Sequence, residues 1–207
     1  MTEDQTERRR QILQAALSEF ANKGFKGATI KSIAEAAKLQ SPTLIYWYFP
    51  TKEALFQAVL EDQSPLIQAT ADPTALFELP PETVLPLLAR GYLSTMDTPT
   101  NQQVFRLMIG EIVQRPELAT SISNRFMPQV LNFLRQYFEQ QIASGYFRPH
   151  DTRSSARAFI GMLIPQALGK VLFEVLRADN LSDAEHIGTA VEIFLRGLRA
   201  SPAGETQ

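Results

Sequence analysis

Residues 41–52 carry side chains whose types and spacing suit molecular recognition. The stretch reads Ser-Pro-Thr-Leu-Ile-Tyr-Trp-Tyr-Phe-Pro-Thr-Lys, so hydroxyl groups and aromatic rings are interleaved and a lysine ends the run. Hydroxyl and phenol groups donate and accept hydrogen bonds, and aromatic rings make broad apolar contacts. A surface built from such side chains predicts contact with another molecule.

A short helix would divide this stretch into two faces. Pro50 disfavours helical dihedrals at Phe49, so the helix must end there, while Ser41 can cap its start with Pro42 as the first helical residue. Helical spacing predicts a buried face of Ile45, Tyr48 and Phe49, with Leu44 at its edge. The opposite face holds Pro42, Thr43, Tyr46 and Trp47. Taken alone, the stretch fits an aromatic core junction equally well.

Two preceding helices favour an exposed role for that opposite face. Apolar residues at helical spacing predict a helix over residues 8–23, ended by Gly24 in a left-handed conformation. Thr29 can cap a second helix, and a turn over residues 38–40 leads to Ser41. This order predicts a three-helix, homeodomain-like helix-turn-helix unit, whose last helix is offered to the DNA major groove.

The distribution of charge agrees with an anionic partner for the N-terminal quarter. Residues 1–52 contain eight Lys or Arg and five Asp or Glu, a net charge of +3. The remaining residues contain twelve and seventeen, a net charge of −5, and the two values sum to the overall −2. A basic segment on an acidic body indicates a local anionic partner such as nucleic acid.

Several other kinds of chemistry have no residues to support them. The chain has no cysteine, which excludes disulfides, thiolate zinc sites and cysteine catalysis. Its two histidines, His150 and His186, lack partners at metal-ligand spacing, and no glycine-rich phosphate loop is present. The sequence therefore predicts no enzyme, no metal site and no cofactor.

The rest of the chain predicts an all-α protein of about nine helices. Helical patterns cover residues 52–64, 81–96, 101–115, 117–144, 151–176 and 183–199. Residues 65–80 contain three prolines and predict a stretch that is partly loop, with room for one short helix. We expect a DNA-binding domain over 1–52, a helical effector-binding and dimerisation domain over 53–200, and a disordered tail over 201–207. No run approaches the roughly 18 apolar residues of a membrane span, so we expect a cytoplasmic protein without a membrane partner.

The N-terminal residues resemble a known family. Arg-Gln-Ile-Leu-Gln-Ala-Ala, Phe-Ala-Asn-Lys-Gly-Phe, Ala-Thr-Ile-Lys-Ser-Ile-Ala-Glu-Ala-Ala and Leu-Ile-Tyr-Trp-Tyr-Phe-Pro-Thr-Lys-Glu-Ala-Leu follow one another within residues 8–60. Together they closely resemble the DNA-binding domain of TetR-family transcriptional regulators. The resemblance implies a homodimer on double-stranded DNA with a palindromic operator, and a C-terminal domain that binds a small-molecule effector.

The resemblance also implies which residues touch DNA. The matching positions are Thr29, Lys31, Ser41, Pro42, Thr43, Tyr46, Trp47, Tyr48 and Lys52. The usual family turn is Ala-Gly-Val-Ser, whereas this chain has Ala-Lys-Leu-Gln-Ser, which is one residue longer. We place the extra residue in the turn, which keeps Ile45, Tyr48 and Phe49 on the buried face. If it lay inside the helix, Leu44 rather than Thr43 would take one contact position.

The dimer interface and the effector pocket are predicted on the later helices. The last helix is apolar on two adjacent faces, which predicts packing on its own core and on a partner. The predicted interface residues are Phe173, Ile187, Ala190, Val191, Phe194 and Leu198. Aromatic and methionine side chains suit an apolar effector, and the candidate lining residues, with plain core residues as the alternative, are Phe105, Met108, Ile112, Phe126, Phe133, Tyr137, Phe159, Met162 and Gln166.

Three functions remain open at this point. The first is a homodimeric repressor that a small, hydrophobic effector releases from its operator. The second is an activator or constitutive DNA-binding protein without an effector. The third is a helical ligand-binding or scaffolding protein that does not bind DNA.

Overall fold

The computed structural model describes residues 3–114, 116–177 and 180–200, and the side chains within them other than those of residues 108, 111–126 and 177. These residues form eleven α-helices, one 3₁₀ helix and no strand, which confirms the all-α prediction. The elements are α1 (Glu3–Gly27), α2 (Ile30–Ala36), α3 (Thr43–Tyr48), α4 (Lys52–Asp62), α5 (Pro65–Ala71), α6 (Thr74–Phe77), α7 (Pro81–Ser94), α8 (Pro99–Gln114), α9 (Pro116–Ala143), α10 (Thr152–Val171), the 3₁₀ helix (Glu174–Arg177) and α11 (Asp183–Leu198).

The number of helices exceeds the predicted nine because the proline-containing stretch over residues 65–80 is largely helical. Pro65 is the first residue of α5, and Pro73 is the N-cap of α6. Proline suits the start of a helix, since its fixed φ is already helical and its missing N–H would have no partner there. Leu66 and Leu76 are buried and anchor these two helices. The helix predicted over 151–176 ends early, at Val171.

Packing divides the chain into two compact units. The first comprises Met1–Ser64 and Thr95–Ile122, and the second comprises Pro65–Ser94 and Ser123–Gln207. Within the first unit α1 packs against α2, α4 and α8. The boundary that we placed after residue 52 remains a prediction about domains, whereas the packing includes α4 and α8 in the unit that carries α1–α3.

The core of the first unit is built on α1. Ile12 and Leu13 are almost completely buried, and Phe20 is 1% exposed. The ring of Phe20 lies 4.9 Å from that of Phe56 and 5.9 Å from that of Phe25, between centroids. Aromatic contacts at this range stabilise a core beyond the apolar area they bury. The cluster therefore joins α4 to both ends of the break at Gly24, where φ is 70° and the backbone leaves the helical conformation as predicted.

The second unit packs α7 against α5, α10 and α11. The ring of Phe194 in α11 lies 5.3 Å from Phe159 of α10 and 5.5 Å from Phe138 of α9. The end of α11 is held by the loop before α10, because the Arg148 N–H donates to the Leu198 carbonyl at 2.9 Å. None of the described helices is both long enough and apolar enough to span a membrane.

Candidate nucleic-acid interface

The short helix α3 presents an aromatic face to solvent. Trp47 is 83% exposed and Tyr46 is 50% exposed, whereas Ile45 and Phe49 are buried. Pro42 and Thr43 are exposed beside the two rings. Tryptophan is usually well buried in a folded chain, so a tryptophan side chain exposed to solvent indicates a surface that contacts a partner. The alternative that Tyr46 and Trp47 are core residues is therefore excluded.

The start of α3 differs by one residue from the prediction. The helix begins at Thr43 with Pro42 as N-cap, rather than at Pro42 with Ser41 as N-cap. Ser41 nevertheless closes the helix start, because its hydroxyl oxygen accepts the Thr43 N–H at 3.2 Å and its carbonyl accepts the Leu44 N–H at 3.2 Å. Tyr48, assigned both to the buried face and to possible DNA contact, is half-buried.

The turn between α2 and α3 contains the extra residue. Because Ile45 and Phe49 keep their buried positions, the insertion lies outside α3. Leu44 is 39% exposed, so both Leu44 and Thr43 reach solvent. The two residues that were alternatives for one contact position are therefore both available on the outer surface.

Lys38 ends α2 in a conformation that normally favours glycine. The Leu39 N–H donates to the Ala34 carbonyl at 2.9 Å, and the Lys38 N–H donates to the Glu35 carbonyl at 3.0 Å. These two bonds form a Schellman motif, which places Lys38 in the left-handed region with φ of 52°. Our sequence reasoning did not select Lys38. The signal was the glycine that the resembling family turn has at this position.

A reciprocal capping arrangement fixes the start of α2. The Thr29 hydroxyl oxygen accepts the Ser32 N–H at 3.0 Å, and the Ser32 hydroxyl oxygen accepts the Thr29 N–H at 3.1 Å. Thr29 and Lys31 are exposed at this end of the helix. Glu19 of α1 lies nearby, and its hydrogen bonds from Lys23 and then Ser32 lower the pKa of its carboxyl group.

Lys52 is held against the link between α1 and α2. Its Nζ donates to the Phe25 carbonyl at 2.8 Å and to the Ala28 carbonyl at 3.1 Å, and it lies 4.5 Å from the centroid of the Phe25 ring. An ammonium group has three N–H donors, so one donor remains for an external group. These contacts bring Lys52 next to Thr29, the N-cap of α2, which directly follows Ala28 in the chain. The tether itself was missed by sequence reasoning.

The three arginines at the start of α1 occupy different environments. Arg9 stacks over the Phe49 ring, with its guanidinium carbon 5.3 Å from the centroid. Arg10 forms an ion pair with Glu7. Arg8 donates to the side-chain oxygen of Gln11 at 3.1 Å and is half-buried. Arg9 therefore stabilises the last residue of the buried face of α3, rather than serving only an external partner.

Four of the predicted effector-pocket residues have described surroundings, in the core or beside a crevice. Phe133, Tyr137 and Phe159 are buried core residues, and the Tyr137 hydroxyl donates to the Leu79 carbonyl at 2.6 Å. Burial raises the pKa of that phenol. Phe105 borders a crevice of about 10 Å³, which has room for at most one water.

The other predicted pocket residues have separate surroundings or lie outside the described side chains. The side-chain amide of Gln166 donates to Asp183 at 2.9 Å and to the Leu181 carbonyl at 3.1 Å. Met162 is half-buried, and its carbonyl oxygen lies 2.8 Å from a ring nitrogen of His186. The side chains of Met108, Ile112 and Phe126 lie outside the described ones.

Five of the six predicted dimer-interface residues belong to the core of the chain itself. Each is at most 9% exposed, and they are Ile187, Ala190, Val191, Phe194 and Leu198. They pack inward because their stripe of α11 faces α7 and α10. Phe173 is 49% exposed, and Ile193, on the adjacent stripe, is 59% exposed. A contact surface on the last two helices must therefore use the Ile193 side of α11.

Among the described residues, no group of three or more His, Cys, Asp or Glu side chains is placed to hold a metal ion. The geometry of the first unit is that of a helix-turn-helix with an open recognition helix.

Two family profiles match the sequence. One, described as bacterial regulatory proteins of the tetR family, matches residues 12–59. The other, described as the C-terminal domain of AefR-like transcriptional repressors, matches residues 83–199, which is more than half of the chain.

Individual relatives agree with these profiles. The HTH-type transcriptional regulator RutR of Escherichia coli K12 is 47% identical over 53 residues, so the match spans 26% of this chain and only 24% of RutR. UidR of the same strain, also an HTH-type transcriptional regulator, is 28% identical over 206 residues, or 98% of this chain and 94% of UidR. The structure of a TetR-family regulator from Mesorhizobium loti is 25% identical with a TM-score of 0.71, covering 97% of this chain and 100% of that one. The chain therefore belongs to the TetR family of bacterial transcriptional regulators, which are DNA-binding proteins and not enzymes.

Proposed function

We propose that the chain is a homodimeric repressor that binds a roughly palindromic operator through α3 and leaves it when a small apolar effector binds the second unit. The observation that carries the proposal is the open aromatic face of α3, with Trp47 83% exposed on a helix whose other side is anchored by buried Ile45 and Phe49. The profile of AefR-like repressors over residues 83–199 supports repression rather than activation.

The exposed residues of α3 define a particular kind of base recognition. Thr43, Tyr46 and Trp47 would face base edges, and none of them makes the bidentate contacts by which Arg recognises guanine or Asn recognises adenine. We therefore expect thymine-methyl contacts and DNA shape to contribute strongly to sequence preference. Lys31, which makes no ion pair with any described residue, is the candidate for a guanine contact.

Backbone contacts would come from the residues around this face. The candidate phosphate ligands are Thr29, Ser41, Tyr48 and the remaining donor of Lys52, whose other contacts are internal. With roughly six to ten phosphates neutralised per dimer, affinity should fall about 10³–10⁵-fold between 50 and 200 mM salt.

Trp47 provides the test of the DNA-binding proposal because it is the one tryptophan in the sequence. Its emission should quench or shift in wavelength, and then saturate, when a duplex of about 30 base pairs is added at low salt. Trp47→Phe removes the signal, so its binding is followed by the anisotropy of labelled DNA. If a pool of randomised duplexes leaves both the emission and the anisotropy unchanged, the chain does not bind DNA as proposed.

The last two helices supply a surface for the proposed dimer. Ile164 of α10 is 40% exposed and Ile193 of α11 is 59% exposed. Gly161 and Gly197, one turn away from them on the same helices, have no other atom within 4 Å of where a Cβ would lie. Small residues beside exposed isoleucines allow two helix pairs to approach closely, as in a four-helix contact between two copies.

Light scattering tests this surface directly. Ile193→Arg places a charge at the centre of the proposed contact, so we expect a monomer in place of a dimer, together with weaker binding to a two-half-site duplex. Glu192→Arg, on the neighbouring exposed position, is the matched control and should stay dimeric. A dimeric Ile193→Arg protein would rule out this face as the interface.

An apolar effector is proposed for the second unit on the profile match and the aromatic content of its helices. Because Phe133, Tyr137 and Phe159 are closely packed, an effector would have to displace side chains to enter between them. Such a ligand should raise the melting temperature and release labelled DNA at the same concentrations. A panel of small apolar molecules that does neither would favour a constitutive DNA-binding protein.

A further inference from the structure

A cleft beside α3 is lined by two cations that the contacts above do not use. Its volume is about 360 Å³, and the residues that line it are Arg8, Lys38, Leu39, Gln40, Leu44 and Tyr48. We name it the Arg8–Lys38 cleft. The described residues of its lining include no acidic side chain.

We infer that the Arg8–Lys38 cleft binds a phosphate of the DNA backbone beside the bases that α3 contacts. Lys38 and Arg8 would then add affinity without adding sequence preference, because phosphates are the same at every base pair. This inference rests on the proposed DNA binding, and it assigns to the turn a contact that the resemblance does not supply.

The backbone of Lys38 carries the first part of the argument. A φ of 52° crowds the Cβ of any residue other than glycine, and the Schellman geometry at this position is normally occupied by glycine or asparagine. A side chain kept at a strained backbone position is a pointer to function. The backbone hydrogen bonds of Lys38 could be made equally well by glycine. We therefore attribute the presence of lysine at this position to its side chain.

The side chain of Lys38 is available for a ligand. It is exposed and makes no hydrogen bond or ion pair with the described residues. Glu35, the nearest acidic residue before it in the sequence, does not pair with it. An ammonium group without an internal partner can neutralise an external anion at no cost in broken contacts.

Arg8 supplies a second cationic donor group to the lining of the cleft. Its hydrogen bond to Gln11 uses one of five guanidinium N–H groups and holds the half-buried side chain in place. Tyr48 and Gln40 add neutral donors to the lining. Two cations and two neutral donors around one opening suit a phosphodiester, and the wall formed by Leu44 and Tyr48 continues into the exposed face of α3.

Lys38→Gly tests the inference because it should preserve or raise the stability of the fold while it lowers the affinity for DNA. Glycine relieves the strained φ, so the melting temperature should stay equal or rise. Binding to a labelled duplex of about 30 base pairs and mixed sequence should weaken on the order of tenfold per protomer at 50 mM salt. The slope of log affinity against log salt should become shallower by about 0.9 per protomer. Arg8→Gln should produce a similar change in slope.

Arg90→Gln is the matched control, since it removes one charge from an exposed position of α7, away from the proposed contact surfaces, and should preserve affinity and slope. A Lys38→Gly protein with the wild-type affinity and slope overturns the inference while leaving the proposed function intact. Failure of the proposed function is visible separately, as a wild-type protein that binds no duplex. Inorganic phosphate should compete no better than chloride of equal ionic strength. Selective competition in the wild type, absent in Lys38→Gly, would instead indicate a free-phosphate site.

Discussion

The Lys52→Met variant should unfold more easily than the wild-type protein, because Lys52 joins α4 to the link between α1 and α2. Methionine keeps an unbranched apolar stem but cannot donate to the carbonyls of Phe25 and Ala28, which the Nζ now contacts at 2.8 and 3.1 Å. It also loses the cation–π contact with the Phe25 ring at 4.5 Å. The ammonium group therefore stabilises three points of the α1–α2 link at once.

The magnitude follows from these contacts. A hydrogen bond from a charged donor stabilises by about 1.5–3 kcal/mol and an exposed cation–π contact by about 0.5–1 kcal/mol. Lys52 is half-buried, so water can satisfy part of the vacated carbonyls and the sum is reduced. We expect Lys52→Met to lower the free energy of unfolding by about 2–3 kcal/mol.

Urea denaturation followed by far-ultraviolet circular dichroism measures this change, at one protomer concentration because dimerisation would contribute to stability. Lys31→Met is the matched control, since Lys31 is exposed and pairs with no described residue, and its effect should stay within about 0.5 kcal/mol. Both variants should weaken DNA binding, but only Lys52→Met should lose stability. Equal unfolding midpoints for the two variants would refute the structural role of Lys52.

Two further variants test the cores and contacts of each unit. Phe20→Ala should destabilise the first unit by about 3–5 kcal/mol, measured by the same denaturation, because Phe20 is 1% exposed and packs against Phe25 and Phe56. Burial tends to raise the pKa of Glu82 in the second unit, but its hydrogen bonds with Tyr146 and Arg199 outweigh this and lower it below 4.5. Glu82→Gln should therefore melt at a lower temperature than wild type above pH 4.5, and the difference should vanish as the pH falls through the lowered pKa.

Local sequence patterns were sufficient for the helix-turn-helix. Thr29 caps α2, Gly24 interrupts α1, and Ile45 with Phe49 anchors α3. Each of these features depends on residues within a few positions of one another, so cap chemistry and helical spacing were enough to predict it. The predicted number of about nine helices was too low. The stretch over 65–80, predicted as partly loop with one possible short helix, contains two short helices held by the buried Leu66 and Leu76.

Long-range packing set the limits of sequence reasoning in the second unit. The two apolar stripes of α11 looked equivalent in the sequence, and the structure buries the one with Phe194 and exposes the one with Ile193. Aromatic spacing likewise could not separate a cavity lining from a core. Phe133 and Phe159 are buried in the structure, and their part in an effector pocket stays a prediction. Which side of an amphipathic helix faces inward depends on neighbours far away in the chain.

The sequence by itself determined the all-α class and the outward face of residues 41–52, because helix caps, spacing and turn signals act locally. The family followed from the resemblance of residues 8–60 to a known DNA-binding domain. Only the tertiary structure decided how that face is supported. It brought Lys52 onto the carbonyls of the α1–α2 link. It also placed Arg8 and Lys38 around one cleft. These outcomes depend on contacts between residues distant in the chain.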